Sequence, residues 1–266
     1  MKRRATATIL LLLLQTCATL CIQDCPASSC CSTLNISYPF RLSGDPPHCG
    51  DKRYELHCEN NHTLLTLFSG KFLVQHIDYK RYKIRVSDVG IAENATRSFM
   101  PRYFLYSGNF THFVIGPGPD LFKLDSFEAS VAYFNCSDPV NDDSRYTDVD
   151  NRYCGSRGNV YAVVKDSGND FGVMDIKVGC KLIGATLANW GRAQKGKKIV
   201  SYADIHNMVS NGFVISWLRV ACEDQCGKRR GCSILDESTG EVQCDELGCR
   251  YSYQGNTDSC DIGNFI

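Results

Sequence analysis

Arg81, Lys83 and Arg85 fall at alternate positions, with Tyr82, Ile84 and Val86 between and after them. Read as a strand, this period of two puts three cations on one face and three apolar side chains on the other. A guanidinium is a planar fork that matches a carboxylate, and an ammonium is a compact point charge. A row of them at strand spacing suits a ligand that repeats a carboxylate. Lys80 adjoins the row, although it falls on the Tyr82 face. The competing reading of the same residues is a solvated strand face, or an edge charged against aggregation. Two further basic groups, Arg192, Lys195, Lys197 and Lys198, and then Lys228-Arg229-Arg230, read first as solvated loops. Tyr38, Phe40 and Tyr54 could offer rings to a sugar, but aromatics in small β modules are more often core.

Catalytic patterns are missing from the sequence. His48, His57, His62, His76, His112 and His206 form no His-Glu-x-x-His motif, and Gly155-Ser156-Arg157-Gly158 is not a nucleophile elbow. Asp148 and Asp150 stand in an acidic loop, without the scaffold that sets a glycosidase pair in space. There is no nucleotide loop or kinase strand pattern. The chain reads as non-enzymatic, with no cofactor and no metal. Its 29 basic and 29 acidic residues cancel, so no global field draws nucleic acid, and charge-based recognition must be local.

Cysteines and sequons set the compartment. Met1-Lys2-Arg3-Arg4 precedes an uncharged run over 5–23 whose strongly apolar part is too short for the ~20 residues of a spanning helix. Residues 1–23 therefore read as a cleaved secretory signal. Setting Cys17 and Cys21 aside from the 16 cysteines leaves 14: Cys25, Cys30, Cys31, Cys49, Cys58, Cys136, Cys154, Cys180, Cys222, Cys226, Cys232, Cys244, Cys249 and Cys260. An even number in a secreted chain argues for disulfides, whose pairing sequence does not give. Adjacent Cys30 and Cys31 should staple the lead to two different places. The last six cysteines contain no Cys-x2-Cys pair, which disfavours zinc. Five glycosylation sequons begin at Asn35, Asn61, Asn94, Asn109 and Asn135.

These sites need short strands to hold them. A strand over 36–42 is broken by Pro39, as suits an edge. Residues 54–58, 63–68 and 72–79 follow, with Ser69-Gly70 as a hairpin turn. Later strands are expected over 103–106, 113–115, 130–134, 160–165 and 171–178, with a polar, acidic, exposed loop over 137–152. Residues 201–209 are the only substantial helix, capped by Ser201. A boundary near residue 100 gives two modules, 24–100 and 101–266. The fold class is mainly β: two small disulfide-rich β modules after the signal peptide.

Ile36-Ser37-Tyr38-Pro39-Phe40, Cys49-Gly50, Tyr54-Glu55-Leu56-His57-Cys58, Val74-Gln75-His76-Ile77-Asp78-Tyr79 and Ile84-Arg85-Val86 stand in an order and spacing that resemble the galacturonan-binding domain of plant wall-associated receptor kinases. The chain departs at Cys30-Cys31, where the family often has Cys-Gly, and at Arg41, where it often has an aromatic. Phe134-Asn135-Cys136-Ser137, Val178-Gly179-Cys180 and the segment from Gly212-Phe213 to Trp217, Cys222 and Cys226 are more loosely similar to the C-terminal module of wall-associated and leaf-rust-resistance-type receptor kinases. In that family a transmembrane helix and a kinase usually follow, whereas this sequence stops at Ile266. The resemblance implies non-catalytic binding of pectic polysaccharide (polygalacturonate) in the cell wall, with Lys80, Arg81, Lys83 and Arg85 as ligand-binding residues. The alternative is a secreted decoy or co-receptor whose partner is a peptide, a protein or a receptor kinase.

Overall fold

The structure, a computed structural model, describes residues 25–30, 34–92, 100–110, 121–124, 128–149, 158–165, 171–189, 201–228 and 230–245. The expected signal peptide, Cys31, Cys154, Cys249, Cys260, Asn94, Asp150, Arg229, the expected strand over 113–115 and the basic group at 192–198 lie outside these residues. Strands account for most of the regular structure, as the fold class requires.

The first half makes an antiparallel meander from β2 (Glu55–Glu59), β3 (His62–Leu67), β4 (Gly70–Asp78) and β5 (Lys83–Asp88). Asn60 and Asn61 take φ of 50° and 62° in the β2–β3 turn, the left-handed pair that a tight hairpin needs and asparagine tolerates. β1 (Arg41–Leu42) pairs in parallel with β2 at the sheet edge. The longer strand expected over 36–42 reduces to this pair and one bridge from Ile36 to Ser28. The cis peptide at Tyr38-Pro39 turns the chain between them. Two disulfides, Cys25–Cys49 and Cys30–Cys58, tie the lead down at two places.

The same sheet then takes strands from beyond residue 100. Its order is β1-β2-β3-β4-β5-β11-β6, where β11 is Phe213–Ser216 and β6 is Lys123–Leu124. Phe213 and Ile215 of β11 are fully buried against Phe72, Ile84 and Val86. Trp217, just after β11, meets Phe40, Tyr79 and Tyr82 at centroid distances of 5.4, 5.8 and 4.9 Å. Gly212 at φ +69° makes this entry possible, because a Cβ there would lie 2.1 Å from the Val86 carbonyl oxygen.

A second sheet, ordered β10-β7-β9-β8, is built from β7 (Glu128–Cys136), β8 (Thr147–Asp148), β9 (Asn159–Lys165) and β10 (Cys180–Asn189). Cys136–Cys180 closes its end. Among the helices of the described residues, α1 (Val89–Ala92) follows β5, and α2 (Tyr202–Ser210) covers one face of the second sheet with Tyr202, Ile205, Met208 and Val209. Ser201 caps α2 as expected, and the Asp204 carboxylate accepts from the Ser201 backbone N–H in return.

Four expectations need correction. Residues 103–106 form no strand, and hold on by one ladder-like bond from the Leu105 N–H to the Ala185 carbonyl, 3.0 Å. Residues 171–178 form no strand either; a short 3-10 turn at Val173–Asp175 turns the Asp175 side chain inward, and Val173 and Met174 outward. The acidic stretch over 137–152 is not uniformly exposed, since Tyr146 and Val149 are buried around β8. A further helix, α3 (Leu218–Cys226), stands beside α2 in length. Its Cys222 and Cys226, four apart and so on one face, bond Cys232 and Cys244, which sit opposite each other on β12 (Cys232–Asp236) and β13 (Glu241–Cys244). Two disulfides thus clamp a hairpin to a helix, and these four sulfurs are not zinc ligands.

Candidate ligand-binding surface

β5 alternates as the sequence requires: Ile84 and Val86 are buried, while Lys83 and Arg85 are half-buried on the opposite face. The strand begins at Lys83, however. Tyr82 has φ of 54°, so Lys80 and Arg81 lie in the β4–β5 turn and not on the strand face. Tyr82 is nonetheless core, its hydroxyl donating to the Gly240 carbonyl of the β12–β13 turn. β5 is also interior to the sheet, between β4 and β11. Edge protection is therefore no explanation for its charges.

Register extends the cationic face sideways. Lys83 stands opposite Asp78 on β4 and Ser216 on β11, and Ser216 stands opposite Lys123 on β6. Directly opposed residues share a face. Lys123, exposed, therefore lies in the Lys83 row two strands away, about 10 Å across the sheet. His76 is exposed opposite Arg85. Neither was evident from the sequence, since Lys123 is some forty residues from the basic run and His76 sits beyond a β-bulge. The Arg85 guanidinium donates to the Asn211 carbonyl at 3.3 Å, which holds its stem against the end of α2.

Acidic groups border one side. Arg81 pairs with Glu237 at 2.9 Å and with Asp78 at 3.4 Å, and these carboxylates raise its already high pKa. Burial pushes the Asp78 carboxyl up, but the backbone N–H groups of Arg81 and Lys80 outweigh it and hold it below the usual range. Arg81 is thus shared with local acids, whereas Lys80 is exposed at the turn.

The aromatics divide. Phe40 and Tyr54 are buried, and Tyr38 is 52% exposed with its hydroxyl donating to Asp224 at 2.7 Å. Burial first, then that carboxylate, push the Tyr38 phenol up to about 12. Cys25, His48 and Cys49 come close enough to suggest a metal site, but both sulfurs are spent in the Cys25–Cys49 disulfide. Asp148 is exposed, and Lys228 is exposed while Arg230 donates to the Asp245 carbonyl.

A meander stapled by Cys25–Cys49 and Cys30–Cys58, bearing cations on one sheet face, defines the class. Residues 25–88 match the family described as wall-associated receptor kinase galacturonan-binding. These residues are thus similar to the galacturonan-binding segment of wall-associated receptor kinases. Among particular proteins, the leaf rust 10 disease-resistance locus receptor-like protein kinase-like 1.4 of Arabidopsis thaliana is 28% identical over 129 residues. The match spans 46% of this chain and 18% of that relative. No solved structure matches. Among the described residues no helix is long and apolar enough to cross a membrane.

Proposed function

We propose that the chain is a secreted, non-catalytic binder of acidic pectic polysaccharide, and that polygalacturonate lies across the face carrying Lys83, Arg85, Lys123 and His76, with Lys80 and Arg81 at its margin. The observation that carries this reading is the coincidence of the matched segment with a cationic sheet face: β4, β5 and the turn between them lie inside residues 25–88 and supply all of these groups except Lys123. Cations set at strand intervals meet successive carboxylates of a linear polyuronide, and the half-buried stems of Lys83 and Arg85 limit the rotamer entropy lost on binding. Each exposed ion pair is worth about 0–1 kcal/mol, so affinity comes from several sugars held at once. Titrating the glycosylated protein with oligogalacturonides of increasing length tests this. Affinity should climb with length and fall as salt rises; length-independent or salt-independent binding contradicts it.

A second reading, a protein- or peptide-binding co-receptor or decoy, is favoured by one specific feature. Val173, Met174 and Val178 are 84%, 93% and 104% exposed, with Ile176 and Leu182 alongside. Their turn is rigidly anchored. The buried Asp175 carboxylate accepts from the Gly172 N–H and from Lys165 and Arg145, while the Tyr146 hydroxyl donates to its carbonyl. An ordered apolar projection is what a partner pocket grips.

A further inference from the structure

The aromatic end of the large sheet lies away from the cations. Phe68, Phe104 and Tyr106 are 57%, 59% and 49% exposed there. Phe68 sits in the β3–β4 turn and meets Phe110 edge-on at 5.4 Å. A Cβ on Gly70 would come within 2.9 Å of the Tyr103 ring, so this turn and residues 103–110 are packed together. Leu105, 2% exposed and bonded to the Ala185 carbonyl, is the anchor that leaves Phe104 and Tyr106 outward on either side of it.

Asn109 closes a short turn on Tyr106. The Tyr106 N–H donates to Asn109 Oδ1 at 2.9 Å, and the Asn109 N–H donates back to the Tyr106 carbonyl at 3.0 Å. With Oδ1 held, the planar amide fixes the direction of Nδ2, the atom that carries the sugar in an Asn-x-Thr sequon. The Tyr106 ring folds over the same turn: a Cβ on Gly108 would lie 2.5 Å from it, so glycine is what lets the ring lie there. Asn35, Asn61 and Asn135 are simply exposed, whereas Asn109 is half-buried in this arrangement.

We propose that the N-linked glycan of Asn109 is seated on the Tyr106 ring, so that the protein's own sugar covers the aromatic end of the sheet. The C–H face of the first N-acetylglucosamine packs on the electron-rich face of the phenol. Phe104 and Phe68 lie under the sugars that follow. The covered end is then closed to other ligands, and polysaccharide is left to the cationic face.

The test uses the full chain produced through a secretory pathway, as wild type, Thr111→Ala, Tyr106→Ala and the double variant. Glycopeptide mass spectrometry should find Asn109 occupied. Thr111→Ala removes the sequon and keeps the Asn109 side chain in its turn; it should lower Tm by about 2–4 °C, and that loss should vanish in the Tyr106→Ala background, because coupled residues are non-additive. An unoccupied Asn109, or an equal Tm loss in both backgrounds, overturns the proposal.

Discussion

Arg81 shows how far neighbouring acids set the value of a cation. Its guanidinium is shared between Glu237 and Asp78, so an incoming uronate must compete with both. Lys83 and Arg85 on β5 stand opposite Asp78 and His76 respectively. Removing the Glu237 charge by Glu237→Gln should therefore tighten binding of oligogalacturonide severalfold and leave thermal stability unchanged, because both partners are exposed. Isothermal titration checks this. Unchanged affinity would exclude Arg81 from the contact. The alternation at Lys83, Ile84, Arg85 and Val86 was plain in the sequence because burial on one face imposes a period of two. The turn at Tyr82 was not, since a left-handed tyrosine leaves no compositional mark and an alternating pattern runs straight through it.

Elements that depend on local pattern were legible, and those that depend on distant partners were not. The β3–β4 hairpin and Ser201 at the start of α2 follow from turn and capping chemistry within a few residues. α3 was hidden because its cysteines read only as disulfide partners, although Cys222 and Cys226 are spaced for one helix face. The 171–178 stretch alternates like a strand, yet Asp175 is drawn inward by Lys165 and Arg145. The backbone N–H of Gly172 first, then the Lys165 ammonium, hold the Asp175 carboxyl below the usual range. Arg145 holds Asp143 down to about 2. A depressed carboxyl contributes stability that is present above its unfolded pKa of about 3.9 and lost as pH falls through the folded value. The turn displaying Met174 should accordingly stay protected from hydrogen exchange at about pH 5 and open as pH falls below about 4. Equal protection at about pH 2.5 would show that these carboxylates do not hold it.

At the scale of the molecule, β11 and β6 carry the later half of the chain into the sheet that the earlier half begins. Trp217, from the same later segment, lies among Phe40, Tyr79 and Tyr82. No sequence period reveals such a partnership, because β11 reads the same whichever sheet accepts it. A fragment ending at residue 100 loses Phe213, Ile215 and Trp217 and bares the hydrogen-bonding edge of β5. It is expected to aggregate, as light scattering after size exclusion would show; a monomeric fragment that unfolds cooperatively would contradict this dependence. The cationic face depends on the same partnership, since Lys123 joins Lys83 only through Ser216 of β11. The most direct measurement is therefore the affinity of the glycosylated protein for de-esterified homogalacturonan, wild type beside Lys123→Ser, Lys83→Ser with Arg85→Ser, and Lys228→Ser as a control, each checked for native circular dichroism. Loss of binding in the double variant, a smaller loss in Lys123→Ser and none in Lys228→Ser is the predicted result. Wild-type affinity in a folded Lys83→Ser, Arg85→Ser protein would contradict the assignment of the ligand to this face.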